Sequence, residues 1–184
     1  NAYDDLSPAY WDNPYWVRYQ NYETDNRDRL IGYVQFDWEI MNGLKAMGRY
    51  SLDTYTELQQ ERKAIGSVSG EFGVNRPEVT SGYSRLQRDF SETNLDFLLT
   101  YRKKFAEIVD FTALVGTNIR KNAVESVYVS TNNGLAIADI YSLSNTVDPL
   151  DLPEETLTKI GVNGIFGSVS LGFSDTYFLD ATIR

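Results

Sequence analysis

The most constraining feature of this chain is an uninterrupted period of two beginning at Leu30. Leu30, Gly32, Val34, Phe36, Trp38 and Ile40 share one side of an extended strand, while Tyr33, Gln35, Asp37 and Glu39 share the other, with Ile31 as the exception. Successive side chains of a strand point to opposite faces, so this alternation describes a strand between two unlike environments. Met41-Asn42-Gly43 follows, and Asn-Gly is a strong hairpin signal because both residues tolerate positive φ. Alternation then resumes, with Leu44, Ala46, Gly48, Tyr50 and Leu52 against Lys45, Arg49, Ser51, Asp53 and Glu57. The two runs and their turn predict a hairpin over 30–61.

The same unit recurs twice. Residues 62–83, rich in Gly and Ser, read as a long loop before a second hairpin over 84–125. In it Leu95, Phe97, Leu99 and Tyr101 oppose Asp96, Thr100 and Arg102, with a short turn expected near Lys103-Lys104-Phe105. Val109, Phe111, Ala113, Val115 and Ile119 then oppose Asp110, Thr112, Asn118 and Arg120. Residues 126–155 read as a second long loop that ends in an acidic stretch, and 156–184 as a third hairpin turning at Ser174-Asp175-Thr176. Residues 1–29 lack sustained periodicity and read as loop. No helix is expected.

Long strands joined alternately by short turns and long loops are the habit of bacterial outer-membrane barrels. The expected fold class is therefore all-β: an antiparallel transmembrane β-barrel segment of about six long strands in three hairpins, part of a larger barrel. A mean hydropathy of −0.38 with 42% hydrophobic residues does not oppose this, because barrel strands alternate lipid-facing and lumen-facing side chains. No apolar run approaches the ~18 residues of a membrane helix. Aromatic residues make up 14% of the chain, which suits the girdles at the two membrane–water interfaces. With no Cys and no His, thiolate metal sites, the usual zinc ligand sets and Ser-His-Asp or Cys-His catalysis are excluded. A net charge of −9 argues against nucleic acid as a partner.

A barrel must close, since an open edge in hydrocarbon leaves backbone N–H and C=O groups unpaired. The smallest bacterial barrels have about eight strands, so six need partners from elsewhere. The three short turns mark one side as periplasmic. That makes 1–29, 62–83 and 126–155 extracellular and predicts that the chain is bounded by breaks in two extracellular loops.

Several ordered motifs carry a resemblance. Asn13-Pro14-Tyr15-Trp16, Asp25-Asn26-Arg27-Asp28-Arg29 and Gly48-Arg49 with Asp53 and Tyr55 resemble the barrel of SusC-like (SusC/RagA family) TonB-dependent transporters. So do Asn94 to Tyr101, Leu114 to Arg120, Asn133-Gly134-Leu135, Tyr141 to Asn145, Phe166-Gly167 and Tyr177 to Arg184. The resemblance covers nearly the whole chain. It implies an outer-membrane barrel of 22 strands around a plug, a SusD-like surface lipoprotein over the mouth, and energy from TonB acting on a region outside this chain. The cargo would be oligosaccharide or peptide. Other partners would be the lipid bilayer and the remainder of the barrel; no cofactor is implied.

Asp37, Arg49, Asp53, Asp96, Asp110, Arg120 and Asp180 are expected to face the lumen. Lumens are polar whatever they carry, so a wetted wall with charge pairs ranks ahead of direct substrate contact. Trp38, Tyr50, Phe97, Tyr101, Phe111 and Tyr177 fall in the lipid-facing phase and read as girdle rather than sugar-stacking residues. Tyr10, Trp11, Tyr15, Trp16, Tyr19 and Tyr22 cluster in a loop, where they are candidates for gripping substrate or docking a lid, weighed against burial between loops. The acidic run at 148–155 offers hard oxygens for calcium, but it lacks EF-hand spacing and two prolines interrupt it, so a solvated loop ranks first. Arg102-Lys103-Lys104 reads as a solvated anchor at the interface.

Three classes compete. An importer leads; another outer-membrane barrel, porin or adhesin, is the alternative within membranes, and a soluble carbohydrate-binding β-sandwich is the alternative outside them. An enzyme ranks last, because no spacing sets an acid and a base together in a dry cleft.

Overall fold

A computed structural model describes residues 12–68, 81–174 and 176–184. Five long strands and a short sixth form one sheet: β1 (Tyr22–Met41), β2 (Leu44–Lys63), β3 (Gly82–Phe105), β4 (Val109–Ser130), β7 (Glu154–Phe173) and the seven-residue β8 (Tyr177–Ile183). They stand in the order β1-β2-β3-β4-β7-β8. The short strands β5 (Asn132–Leu135) and β6 (Thr146–Asp148) form a separate antiparallel pair. The only helix among the described residues, α1 (Pro14–Tyr19), is six residues long. The all-β antiparallel class and the three hairpins expected from the alternation are thus present.

The differences lie at the element ends. β1 starts at Tyr22, so the segment read as loop to residue 29 already contributes strand, and α1 interrupts it. The helix is specified locally: the Asn13 side chain accepts the Tyr15 N–H at 2.9 Å, and Pro14 supplies a preset φ at the first position. One turn of helix is too short to show as a period of 3.6. β4 likewise runs to Ser130, and β5 and β6 lie within the expected loop 126–155.

The turn between β3 and β4 also falls later than expected. β3 continues through Phe105, and the chain reverses at Ala106 and Glu107, both at positive φ (49° and 60°), with the Ile108 N–H bonded to the Phe105 carbonyl at 3.1 Å. Two successive positive φ values mark a type I′ turn, which favours Asn-Gly. Ala-Glu carries no such signal, and each non-glycine residue held there costs about 1–2 kcal/mol. The double variant Ala106→Asn/Glu107→Gly is therefore expected to stabilise the protein by roughly 1–2 kcal/mol. A urea midpoint unchanged or lowered would contradict that backbone geometry.

Contacts divide the chain into two compact units. The first comprises Asn1–Asp28, Tyr55–Asp89 and Val124–Leu157. Here the Trp16 indole donates to the Ser67 hydroxyl at 2.9 Å, and the Asn21 side chain bonds Asp12, Ser67 and the Ala64 N–H. The Thr131 N–H donates to the Tyr83 carbonyl and the Tyr83 N–H donates to the Thr131 hydroxyl, and the buried Asn145 amide ties the carbonyls of Ile137 and Ile140.

The second unit comprises Arg29–Thr54, Phe90–Ala123 and Thr158–Arg184. β7 and β8 pair there with Leu171 opposite Leu179, Val169 opposite Ala181 and Ser170 opposite Asp180. This register keeps apolar and polar pairs on opposite sides. On the polar side the ends of Phe166 and Leu98 lie where a Cβ on Gly116 would stand, 2.6 and 2.8 Å from it, so the glycine makes room for both.

Candidate functional site

The charged side of the strands carries cross-strand ion pairs. In the second unit the Arg29 guanidinium donates two bonds to Asp53 (2.8 and 2.6 Å), and Arg49 donates to Asp96 at 2.8 Å. Asp96 also accepts from Asn118 at 2.6 Å. Arg120 donates to Glu92 at 2.6 Å, and Asn122 donates to the same carboxylate oxygen. Asp37 accepts from Gln35, Asp110 stands 3.8 Å from the Lys104 ammonium, and Asp180 accepts the Ser170 hydroxyl. All seven charged candidates therefore occur in the second unit with polar partners, and Arg49 and Asp96 meet directly.

In the first unit the same side of β2 holds Glu57, whose side chain is 0% exposed. It accepts from Arg27 at 2.6 Å, from Arg88 at 3.3 Å and from Gln59 at 3.1 Å, and Arg27 also lies 4.9 Å from the centre of the Tyr55 ring. Glu57→Ala is expected to cost about 1–3 kcal/mol, the worth of charge-assisted bonds lost at once. Arg27→Ala should cost less than this, because Arg88 and Gln59 still serve the carboxylate. Chemical denaturation of the two variants tests that order.

Arg27, Arg29, Arg88, Glu57 and Glu92 were not among the charged candidates. Arg27 and Arg29 lay in a segment read as loop. Arg88 and Glu92 share a phase with Asp96, and that signal was available in the sequence.

The opposite side of the second unit is apolar and open. Phe36 is 75% exposed, Trp38 68% and Ile183 77%. Among the described residues only Ala64, Tyr83 and Leu135 are buried apolar side chains. A soluble sandwich of this length would bury one inner face of each sheet, whereas these apolar side chains stand exposed. The apolar side chains run from Leu30 to Ile40 on β1, Leu44 to Leu52 on β2, Leu95 to Phe105 on β3, broken by Lys103, and Val109 to Ile119 on β4, broken by Thr117. Each band is close to the ~9–11 residues that cross a bilayer. Farther from the turns the same phase becomes polar, at Asn26 and Asp28, Arg85 and Gln87, and Lys121 and Glu125.

The loop aromatics divide. Tyr10 and Trp11 lie outside the described residues. Trp16 packs with its ring 3.6 Å from where a Cβ on Gly66 would stand, whereas Tyr15 and Tyr19, one helical turn apart on α1, are 65% and 67% exposed. Tyr22 opens β1, and the Arg62 guanidinium lies 5.0 Å from its ring centre and 5.1 Å from that of Tyr141. Burial raises the Tyr141 pKa, and the charge of Asp139 adds to the effect. In the acidic run Asp151 accepts from Asn132. No cluster of three or more acidic side chains among the described residues is arranged to hold a metal ion, and no helix there is long and apolar enough to cross a membrane.

No protein-family model matches the sequence, and no curated protein is significantly similar to it. Solved structures do match. The chain superposes on the RagAB peptide transporter with a TM-score of 0.72 over 92% of its length at 17% identity. It superposes equally well, at 0.72, on the RagAB peptide importer in the closed-closed state (18% identity) and in the open-open state (17%). It spans only 18% of the length of those chains. At such identity the likeness is one of fold. The chain shares the fold of a stretch of those transporter chains, one sheet of antiparallel strands.

Proposed function

We propose that this chain is part of the wall of an outer-membrane importer that takes up oligomeric nutrients, with peptides ahead of oligosaccharides. One observation carries the reading. On strand after strand an apolar band of bilayer length adjoins a short turn, and the opposite side of the same residues is laced with ion pairs. Lipid would meet the first side and a water-filled lumen the second. Asp37, Arg49, Asp53, Asp96, Asp110, Arg120 and Asp180 are lumen residues in this reading. Paired as they are, they form a wetted wall rather than a catalytic set.

Strands of 20 residues or more measure roughly 65 Å at ~3.3 Å per residue. They therefore exceed the ~30 Å hydrocarbon core and project beyond it. β1 and β8 are the sheet edges, and strands outside this chain would pair with them to close the barrel. Peptide cargo is favoured by likeness to a peptide importer. The motifs quoted above imply a SusD-like lipoprotein over the mouth and TonB coupling through a plug, and the exposure of Tyr15 and Tyr19 supports a role for them in meeting lid or cargo.

Uptake of fluorescent oligopeptides and oligosaccharides by cells carrying the full-length protein, with and without TonB, tests the reading. Peptide uptake that disappears without TonB is expected. TonB-independent entry of both would instead make the protein a passive porin, and uptake of oligosaccharide alone would overturn the choice of cargo.

A further inference from the structure

We propose that the apolar side of the second unit holds one anionic phospholipid, with its phosphate on Lys103 and an acyl chain in the recess beside it. The inference rests on the membrane-spanning reading and adds a specific site to it.

The basic run Arg102-Lys103-Lys104 alternates sides like the rest of β3. Lys104 pairs with Asp110 on the charged side, and Arg102 lines a recess there with Asp37, Glu39 and Lys45. Lys103 alone of the three stands in the apolar phase. Its ammonium lies 5.2 Å over the Phe105 ring, and no carboxylate among the described residues pairs with it. Phe105 packs edge-on against Phe111 (6.4 Å), and Phe111 packs edge-on against Tyr101 (6.1 Å).

Tyr101 is one wall of an open recess of about 420 Å³. Leu44, Leu99, Ala113, Ala181 and Ile183 are among the other lining residues, and the lining is almost wholly apolar. The recess exists because Ala113 and Ala181 are small where their neighbours are large. A volume of this size lies in the usual range for small-molecule sites, ~300–1,000 Å³.

A cation at the hydrocarbon boundary extends toward the headgroup layer and needs a counter-anion. Here the aromatic series leads from that cation straight to an apolar slot. A lipid phosphate with its acyl chain satisfies both, whereas a soluble anion leaves the recess unfilled.

Native mass spectrometry of the full-length protein in detergent, titrated with dioleoyl phosphatidylglycerol or dioleoyl phosphatidylcholine, tests the site. One phosphatidylglycerol should be retained roughly fivefold better than phosphatidylcholine, the worth of one lysine at an anionic surface. Lys103→Gln should abolish that preference, and Ala113→Phe, which fills the recess, should lower retention of both lipids. Equal retention of the two lipids, a preference that survives Lys103→Gln, or retention unaffected by Ala113→Phe would each overturn the site. So would a protein dimer insensitive to lipid. Heat-modifiable gel mobility of the same samples separates the two readings: a folded barrel without lipid preference overturns only the lipid site, and a protein soluble without detergent overturns both.

Discussion

Gly43→Val is expected to destabilise the protein by about 2–5 kcal/mol, summing left-handed strain and a backbone clash. Gly43 ends the β1–β2 turn at φ +83°, a conformation that a β-branched residue adopts only under strain. Space is the larger problem. A Cβ at this position would stand 2.2 Å from the Arg102 carbonyl oxygen, which belongs to the backbone of β3 and cannot rotate away. Moving that carbonyl would also disturb the 2.7 Å bond from the Arg102 N–H to the Gly43 carbonyl. Asn42 is the control: it is not at positive φ, so Asn42→Ala should change stability by under ~0.5 kcal/mol. Urea unfolding of the full-length protein in detergent measures both. A Gly43→Val protein as stable as the wild type would mean that β3 does not approach the turn so closely.

Phe97→Arg is the second large effect, and it tests the membrane directly. Phe97 lies in the apolar band of β3 between Leu95 and Leu99 and is half exposed, at 47%. Facing lipid near the midplane, an arginine there costs about 2–4 kcal/mol, falling toward ~0–1 near the interfaces. Thr100→Arg, three residues along on the charged side, should cost under ~0.5 kcal/mol because, on the proposed function, a wet lumen accepts the charge. The contrast between the two, measured as folding free energy into lipid vesicles, carries the result. Equal costs would mean that neither side faces hydrocarbon, and the proposed function would fail with them.

Much of this was legible in the sequence because alternation is a local property. Side-chain direction flips at every residue of an extended strand, so Leu30 to Ile40 and Leu95 to Tyr101 declare two faces without knowledge of any neighbour. The Asn-Gly turn was legible for a similar reason, since its backbone demands are written in the residues themselves. The Ala106-Glu107 turn was not, because there the geometry is imposed by the two strands on residues that do not favour it. α1 was missed because a single capped turn has no periodicity to detect.

The seven charged candidates show where the boundary falls. Their common side follows from parity alone, but their partners do not. Arg49 with Asp96, Arg29 with Asp53 and Arg120 with Glu92 are brought together by strand register, which depends on how whole strands align. Glu57 carried the correct phase in the sequence, yet its complete burial between Arg27 and Arg88 needed a third strand. Lys103 divides between the two: alternation along β3 already put it in the apolar phase, but the packing of Phe105, Phe111 and Tyr101 beside it needed the neighbouring strand. The sequence by itself determined which side of each strand is apolar and which is charged, because that is decided one residue at a time. Which charges meet, and which residue ends beside an apolar recess, was decided by the tertiary structure, because pairing between strands is a property of the sheet and not of any segment within it.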